Sequence, residues 1–252
     1  MGKNSNASLQ GMVPLVLHKI VRGQTVDWED VSETEFLRIL DHVGQRWAVF
    51  RPDERGENAR WMLTFDDGYL SDYEIVFPLL VERNMQATFF VITDKIGAPG
   101  HIGWSQIEEM HRHGMCIGSH SRSHRRMNSL PAEEAMLEFT ESKKVLEDGL
   151  GAPVDVFSYP YGDCSRELHK IGFEAGYRYL CSSAHGVATS AAEVVPRNSI
   201  NSGQDWAAIQ SVMDPSAGIR LRWHLEDVVK HVVKTALGNE RYMKWRNKAF
   251  HG

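Results

Sequence analysis

Two adjacent carboxylates come directly after an apolar segment that has the pattern of a buried strand. Asp66 and Asp67 follow Trp61–Phe65 and precede Gly68. Neighbouring carboxylates repel one another unless a cation or a shared proton relieves the repulsion, so the pair indicates a charged site. The competing interpretation is an ordinary turn, because Asp-Gly is a favoured turn dipeptide.

A second segment supplies two histidines, His120 and His124. This spacing places both on one face of a helix, as in two-histidine zinc sites, although surface histidines in a polar loop are the alternative. Two imidazoles and one carboxylate make three protein ligands and leave a coordination position open, which is typical of catalytic zinc. The second carboxylate would then be available as a general base toward water. Manganese, cobalt or nickel would also suit these mixed ligands.

The elements that must position these residues alternate strand-like and helix-like patterns. Apolar runs such as Val13–Leu17 alternate with amphipathic stretches, one of which is a helix opened by Ser32. Such alternation predicts an α/β fold with parallel strands and helical crossovers. In a parallel barrel, the residues that follow the strands meet at one rim. Four chemically capable residues occupy such positions: His18, Asp66, His120 and Tyr161.

These motifs and the text around them resemble the polysaccharide deacetylases of carbohydrate esterase family 4. The similarity runs from Val13 to Ile200 and includes Thr64-Phe65-Asp66-Asp67-Gly68, His120-Ser121-Arg122-Ser123-His124 and Phe157-Ser158-Tyr159-Pro160-Tyr161-Gly162. The resemblance implies a distorted (β/α) barrel with fewer than eight strands. It also implies metal-assisted removal of an N- or O-acetyl group.

The resemblance further implies roles for individual residues. Asp67, His120 and His124 match the family's metal ligands, and Asp66 matches the base that activates water. Tyr161 matches a groove position whose backbone N–H helps to hold the oxyanion. Such a donor acts on charge that develops only in the transition state.

Two more roles come from subgroups of the family. Many members carry an arginine where this chain has Tyr159, and Arg197 resembles the alternative arginine of a Tyr-Pro-Tyr-Gly subgroup, where it would pair with Asp66. The family's general acid is a late histidine, but circularly permuted members place it on the first strand. His18 matches that arrangement and would protonate the departing amine, with His224 as the alternative.

Length and charge allow one barrel domain and argue against nucleic acid as a partner. The chain has 252 residues and a net charge of −5, whereas a nucleic-acid site needs a clustered basic patch. We expect a flexible leader over residues 1–12 and a single domain over residues 13–252. From about residue 221 this domain ends in a basic amphipathic tail, either solvated or bound to a membrane surface or partner. The cysteines are expected to be reduced: Cys116, Cys164 and Cys181.

Together these features predict a metal-dependent sugar N-deacetylase. Because the start shows no signal-peptide core and no apolar run is long enough to span a membrane, we expect the protein in the cytoplasm. The expected substrate is then a nucleotide- or lipid-linked N-acetylated sugar of surface polysaccharide synthesis. A groove with Trp104, Tyr161 and Trp206 would favour sugar stacking. A small closed pocket would favour the alternative, a non-sugar or small cyclic amide, and an inactive binding protein is a third interpretation.

Overall fold

The computed structural model of the chain describes residues 11–50, 58–189 and 192–237, in which strands and helices alternate as predicted. The strands are β1 (Val13–Leu17), β2 (Lys19–Val21), β3 (Asp30–Ser32), β4 (Trp47–Ala48), β5 (Trp61–Phe65), β6 (Thr88–Val91), β7 (Cys116–Ser119), β8 (Val156–Ser158), β9 (Tyr179–Cys181), β10 (Val194–Val195) and β11 (Asn198–Ser199). The α-helices are α1 (Glu33–Val43), α2 (Phe77–Glu82), α3 (Trp104–Arg112), α4 (Ala132–Leu150), α5 (Arg166–Glu174), α6 (Trp206–Met213) and α7 (Ala217–Leu237).

Eight of the strands form one curled, half-barrel sheet in the order β10-β9-β8-β7-β6-β5-β1-β11, and β4 pairs with β5 as a ninth. Neighbouring strands run parallel throughout this sheet. The predicted α/β barrel-like fold is therefore confirmed, but the expectation of fewer than eight strands is too low for the described residues. Three of the strands, β4, β10 and β11, have only two residues each, and such short pairs leave little trace in a hydrophobic pattern.

The centre of the sheet consists of β1 and β5. Every residue of both strands is buried, because a central parallel strand is covered on both faces, and all of these residues except Thr64 are apolar. The first two residues of β5 pair with β4 and the last two with β6. At the end of β5, Phe65 stacks on Phe89 with ring centroids 5.0 Å apart. The residues that follow β1, β5 and β6 therefore leave the sheet from well-packed positions.

The two edges of the sheet approach one another through a short connection. Only Pro196 and Arg197 separate β10 from β11. Asn198 holds this connection in place, since its side-chain amide donates to the carbonyls of Pro14 (3.0 Å) and Gly186 (2.8 Å). Arg197 is thereby held inside the curled sheet with 0% of its surface exposed.

The chain ends of the domain differ somewhat from expectation. Residues 1–10 of the predicted leader lie outside the described residues, but Met12 is buried and belongs to the core. At the other end α7 begins at Ala217, earlier than predicted, and residues 238–252 of the tail are again outside the description. The predicted helix start at Ser32 is confirmed, because its hydroxyl accepts a hydrogen bond from the Glu35 N–H at 3.2 Å.

No disulfide joins Cys116, Cys164 and Cys181. Among the helices of the described ranges, none is both long enough and apolar enough to cross a membrane.

Candidate active site

Asp67, His120 and His124 converge at the rim where β5 and β7 end. Oδ1 of Asp67 lies 3.4 Å from Nε2 of His120 and 3.2 Å from Nε2 of His124. One ligand atom from each of the three residues lies within 4.8 Å of the others. The tertiary fold thus brings together the three residues that the sequence predicted as metal ligands.

The surroundings of these atoms suit a divalent cation. Oδ1 of Asp67 is buried without a hydrogen-bond partner, although buried carboxylate oxygens normally have one. Nδ1 of His120 lies 2.8 Å from the carbonyl of Ser158 and donates to it, which leaves the Nε2 lone pair facing Asp67. Burial by itself would raise the pKa of Asp67, but the two close imidazoles of His120 and His124 hold it well below its usual range. Two imidazole nitrogens and one ionised carboxylate are a typical ligand set for catalytic zinc.

The two histidines lie in a loop after β7, so the prediction that they share a helical face is wrong. The loop turns through left-handed conformations at Ser121 (φ 66°) and His124 (φ 60°), which a helix excludes. Buried Glu138, on α4, accepts hydrogen bonds from the backbone N–H groups of Arg122 (3.0 Å) and Ser123 (2.9 Å). The Ser121 hydroxyl accepts another from the N–H of His124 (3.0 Å). These side-chain acceptors replace the helix and still bring both imidazoles to Asp67.

Left-handed backbone is concentrated at this rim. Among the described residues other than glycine, six have positive φ, and four of them belong to the site: Asp67, Ser121, His124 and Tyr161. Each such conformation costs on the order of 1–3 kcal/mol and persists only where the surrounding structure enforces it. Clustering of this kind is typical of functional sites.

Asp66 is held chiefly by a buried guanidinium, and its Oδ2 also lies 3.8 Å from Nε2 of His120. Its two oxygens accept hydrogen bonds from Nη1 and Nη2 of Arg197, each at 2.7 Å, and Oδ2 accepts a third from the Ser158 hydroxyl at 3.0 Å. Burial would raise the pKa of Asp66, but the charge of Arg197 and the electrostatic effect of the neighbouring His120 lower it to about 2. The carboxylate is therefore ionised at neutral pH and held in a fixed orientation.

Arg197 is itself fully satisfied at the junction of β10 and β11. Besides Asp66, it donates to the hydroxyls of Thr64 (3.1 Å) and Ser158 (2.6 Å) and to the carbonyl of Ser182 (3.3 Å). Thr64 and Ser158 were not singled out from the sequence, because a hydroxyl on a strand carries no pattern of its own. The predicted pairing of Arg197 with Asp66 is present in the structure.

His18, immediately after β1, lies at the same rim. His18 makes a smaller electrostatic contribution that lowers the pKa of both Asp66 and Asp67, after those of burial and of closer partners. The exposed Trp28, from the loop between β2 and β3, packs on His18 with ring centroids 5.6 Å apart. His224, in contrast, is an exposed residue of α7. The structure thus places His18, and not His224, beside the carboxylates.

Tyr161 lies above His124, with ring centroids 4.6 Å apart and 52% of its surface exposed. Its φ of 59° and that of 63° at Gly162 form a tight turn after β8. Glycine is required at the second position, because a Cβ there would lie 2.3 Å from the Ser183 side chain. The backbone of this turn and the Tyr161 ring therefore both reach the rim.

The expected aromatic groove is only partly correct. Tyr161 lies at the site, but Trp104 packs against Gly149 of α4, where an added Cβ would meet its ring at 2.2 Å. Trp206 packs on His42 and under Arg38, and His42 in turn contacts Trp61, the first residue of β5. Trp28, 53% exposed, lies at the rim instead. The sequence did not predict this position, because a single tryptophan in a polar segment forms no recognisable pattern.

A third carboxyl group lies near the aspartate pair. Asp72 is fully buried, and neither of its oxygens has a hydrogen-bond partner. Burial raises the pKa of Asp72 well above its ordinary value, and the charges of Asp67 and Asp66 raise it further. Burial and the two neighbouring carboxylates therefore both oppose ionisation of Asp72, in contrast to Asp66 and Asp67.

Comparison with known proteins agrees with this geometry. A family model described as polysaccharide deacetylase matches residues 53–180. That span contains the aspartate pair, both histidines of the loop and Tyr161, whereas His18 and Arg197 lie outside it. The family match therefore gives no information about His18 and Arg197, and only the structure of this chain places them near the aspartate pair.

One curated relative is the Bacillus subtilis (strain 168) protein YxkH, whose name describes it as a polysaccharide deacetylase. It is 33% identical over 137 residues, which are 54% of this chain and 49% of the relative. Chitin deacetylase 1 of Cryptococcus neoformans var. grubii is 31% identical over 116 residues, 46% of this chain and 24% of the relative. The chain therefore aligns with half or less of the length of these relatives. Among solved structures, the Streptococcus pyogenes deacetylase PplD in complex with acetate superposes with a TM-score of 0.71 at 20% identity, covering 81% of this chain and 98% of that one.

Proposed function

This chain belongs to the polysaccharide deacetylase family, and from that premise we propose that it is a metal-dependent hydrolase that removes the N-acetyl group of a sugar. One observation carries the proposal. The ligand atoms of Asp67, His120 and His124 lie within 4.8 Å of one another, and the ionised Asp66 lies beside them with its own partners. Such an arrangement separates a cation site from a general base, which amide hydrolysis requires.

Asp67, His120 and His124 would hold the cation. When bound, a divalent ion supplies Lewis-acid polarisation of the acetamide carbonyl and of a water molecule. Zinc suits two imidazoles and a carboxylate best, and cobalt, manganese or nickel are compatible with the same ligands. The hydrogen bond from His120 to the carbonyl of Ser158 would keep that imidazole oriented during the reaction.

The remaining residues would move protons and stabilise charge. Asp66 would accept a proton from the attacking water, because Arg197 keeps it ionised. As the new C–O bond forms, the backbone N–H of Tyr161 would face the carbonyl oxygen. His18 would donate a proton to the nitrogen as the C–N bond breaks. The products are acetate and the free amine of the sugar.

Exposed aromatic rings at the rim support a sugar as the substrate. Trp28 packs on His18 and Tyr161 on His124, so an aromatic face borders the proposed acid and one proposed metal ligand. Aromatic faces with polar neighbours suit the alternately apolar and hydroxylated surface of a sugar ring. We propose an N-acetylhexosamine unit, nucleotide- or lipid-linked and used in surface polysaccharide synthesis. The cytoplasmic location expected from the sequence stays a prediction.

Acetate release by the purified chain tests this function. Protein stripped with a chelator and reconstituted separately with zinc, cobalt, manganese or nickel should release acetate from N-acetylglucosamine oligomers or from a nucleotide-linked N-acetylhexosamine. Asp67→Asn should lose bound metal, whereas the matched Asp66→Asn should retain it and lose activity. No acetate from any of these sugars with any of the four ions would refute the proposal. Faster hydrolysis of a small cyclic amide would favour the alternative substrate class instead.

A further inference from the structure

The last described helix carries an apolar strip that the fold leaves uncovered. Leu221, Leu225, Val228 and Val229 of α7 are each between 45% and 60% exposed. Their spacing places them on one side of the helix, which we call the apolar strip. Scattered exposed aliphatic residues are ordinary, but a continuous row on one helix is typical of a binding surface.

The same helix is attached to the domain by its other side. Trp223 is buried and stacks on His185 with ring centroids 5.3 Å apart and an angle of 16° between the rings. Because consecutive helical residues are separated by roughly 100° around the axis, Trp223 faces away from the apolar strip. The strip therefore points outward while the helix remains anchored.

Charge distinguishes this end of the chain from the rest. Residues 217–252 contain eight Lys and Arg against three Asp and Glu, a net charge of +5, whereas residues 1–216 contain 20 Lys and Arg against 30 Asp and Glu, a net charge of −10. Arg220 and Arg222, next to the strip, are exposed. An apolar strip bordered by cations matches a surface that is both apolar and anionic.

We propose that α7 docks this protein on the surface of an anionic lipid bilayer, with the apolar strip inserted among the acyl chains and the basic residues at the phosphate headgroups. A second copy of the chain would cover the strip but would bring two segments of like charge together. An anionic bilayer buries the strip and neutralises the cations at the same time. This site is separate from the proposed hydrolytic function, and its test reads binding alone.

Vesicle flotation of the full-length protein tests the proposal. The protein should float with vesicles of phosphatidylcholine and phosphatidylglycerol, and less with vesicles of phosphatidylcholine alone. Leu225→Gln with Val229→Gln removes two aliphatic side chains without changing charge, and should weaken binding roughly tenfold or more, because neither position could then bury apolar surface among the acyl chains. His224→Gln, a control at the edge of the strip that removes no aliphatic side chain, should bind like the unmodified protein.

A second variant separates charge from apolar contact. Arg220→Gln with Arg222→Gln should weaken binding to the anionic vesicles and make the remaining binding less sensitive to salt. Thermal unfolding should be unchanged in every variant, because all of the altered residues are exposed. Absence of flotation with anionic vesicles, or equal flotation of the Leu225→Gln, Val229→Gln protein, would overturn the proposal. A dimer in light scattering that this variant dissociates, without vesicle binding, would assign the strip to a second copy instead.

Discussion

Asp66 and Asp67 are neighbours in the chain, but their side chains have different partners apart from His120, which lies near both. Asp67 faces two imidazoles, and Asp66 faces a buried guanidinium 131 positions further along. Both carboxyls are ionised despite burial, because each has cationic or hydrogen-bonding partners that outweigh desolvation. The chemistry of the site therefore depends on partners more than on residue type.

Arg197→Met tests the ion pair at the level of single residues. Removing one partner of a buried pair leaves the other charge uncompensated, so we expect a loss of about 3–5 kcal/mol in the free energy of unfolding. With the guanidinium gone, the pKa of Asp66 should rise. The acid limb of the pH dependence of kcat/KM should then move to higher pH, since Asp66 acts as a base only when ionised.

The sign of the stability effect follows from the same pKa. In the folded protein the pKa of Asp66 lies below its ordinary value, so its contribution to stability is present above that value and is lost as the pH falls toward about 2. Arg197→Met should therefore be least destabilising in acid. As a control, Asp66→Asn with Arg197→Met should recover part of the lost stability in urea denaturation. If the double variant were no more stable than Arg197→Met alone, the ion pair would not be the cause.

His18 and His224 make a second comparison between single residues. His18→Ala should lower kcat by about 10²–10⁴-fold while bound metal is retained, and His224→Ala should leave both unchanged. An acetyl ester of a phenol, whose leaving group needs no protonation, should be hydrolysed by the His18→Ala protein with a much smaller loss. Equal losses for both substrates would rule out His18 as the acid.

At the scale of elements, the loop after β7 depends on a helix that contributes no ligand. The buried carboxylate of Glu138 on α4 accepts hydrogen bonds from the backbone N–H groups of Arg122 and Ser123. Glu138→Ala should leave these donors without partners and loosen the loop that carries His120 and His124. We expect metal affinity to fall by about 10–100-fold, as for other residues that orient ligands.

The matched control for this element is Glu141→Ala on the same helix. Glu141 pairs with Arg122 at the protein surface, and exposed ion pairs contribute little, about 0–1 kcal/mol. Titration of chelator-treated protein with zinc in a competition assay measures both variants. Equal affinity of the Glu138→Ala protein and the unmodified protein would show that the loop holds its shape without this acceptor.

At the scale of the whole molecule, the fold buries a third carboxyl, that of Asp72, in addition to the ionised pair. Because the pKa of Asp72 is raised in the folded state, the folded protein binds more protons than the unfolded chain above the ordinary aspartate pKa. Its contribution to stability is thus complete below that value and declines as the pH rises, by at most about 1.4 kcal/mol per pH unit.

Asp72→Asn should remove this decline. In urea denaturation of metal-free protein, the difference in free energy of unfolding between the Asn variant and the unmodified protein should grow with rising pH in favour of the variant. Chelator in both samples keeps a bound cation from altering the charges of Asp66 and Asp67. Parallel stability curves across the pH range would show that Asp72 is already ionised in the fold.

Features encoded by neighbouring residues were predictable from the sequence. The buried strand before Asp66, the helix start at Ser32 and the α/β alternation all depend on interactions over a few positions, and local patterns report these directly. The aspartate pair and the two histidines were identified for the same reason, since each motif is contiguous.

Only the tertiary structure decided how distant residues combine. The helix expected through His120 and His124 is replaced by a loop, because Glu138 on another element satisfies its backbone. Arg197 reaches Asp66 across 131 positions, His18 and not His224 lies at the rim, and Trp28 replaces Trp104 and Trp206 there. These outcomes depend on how β1, β5, β7 and β11 pair and where the sheet curls. Strand pairing between distant segments leaves no local periodicity, so the sequence alone identifies the reactive residues but not the partners that assign each one its role.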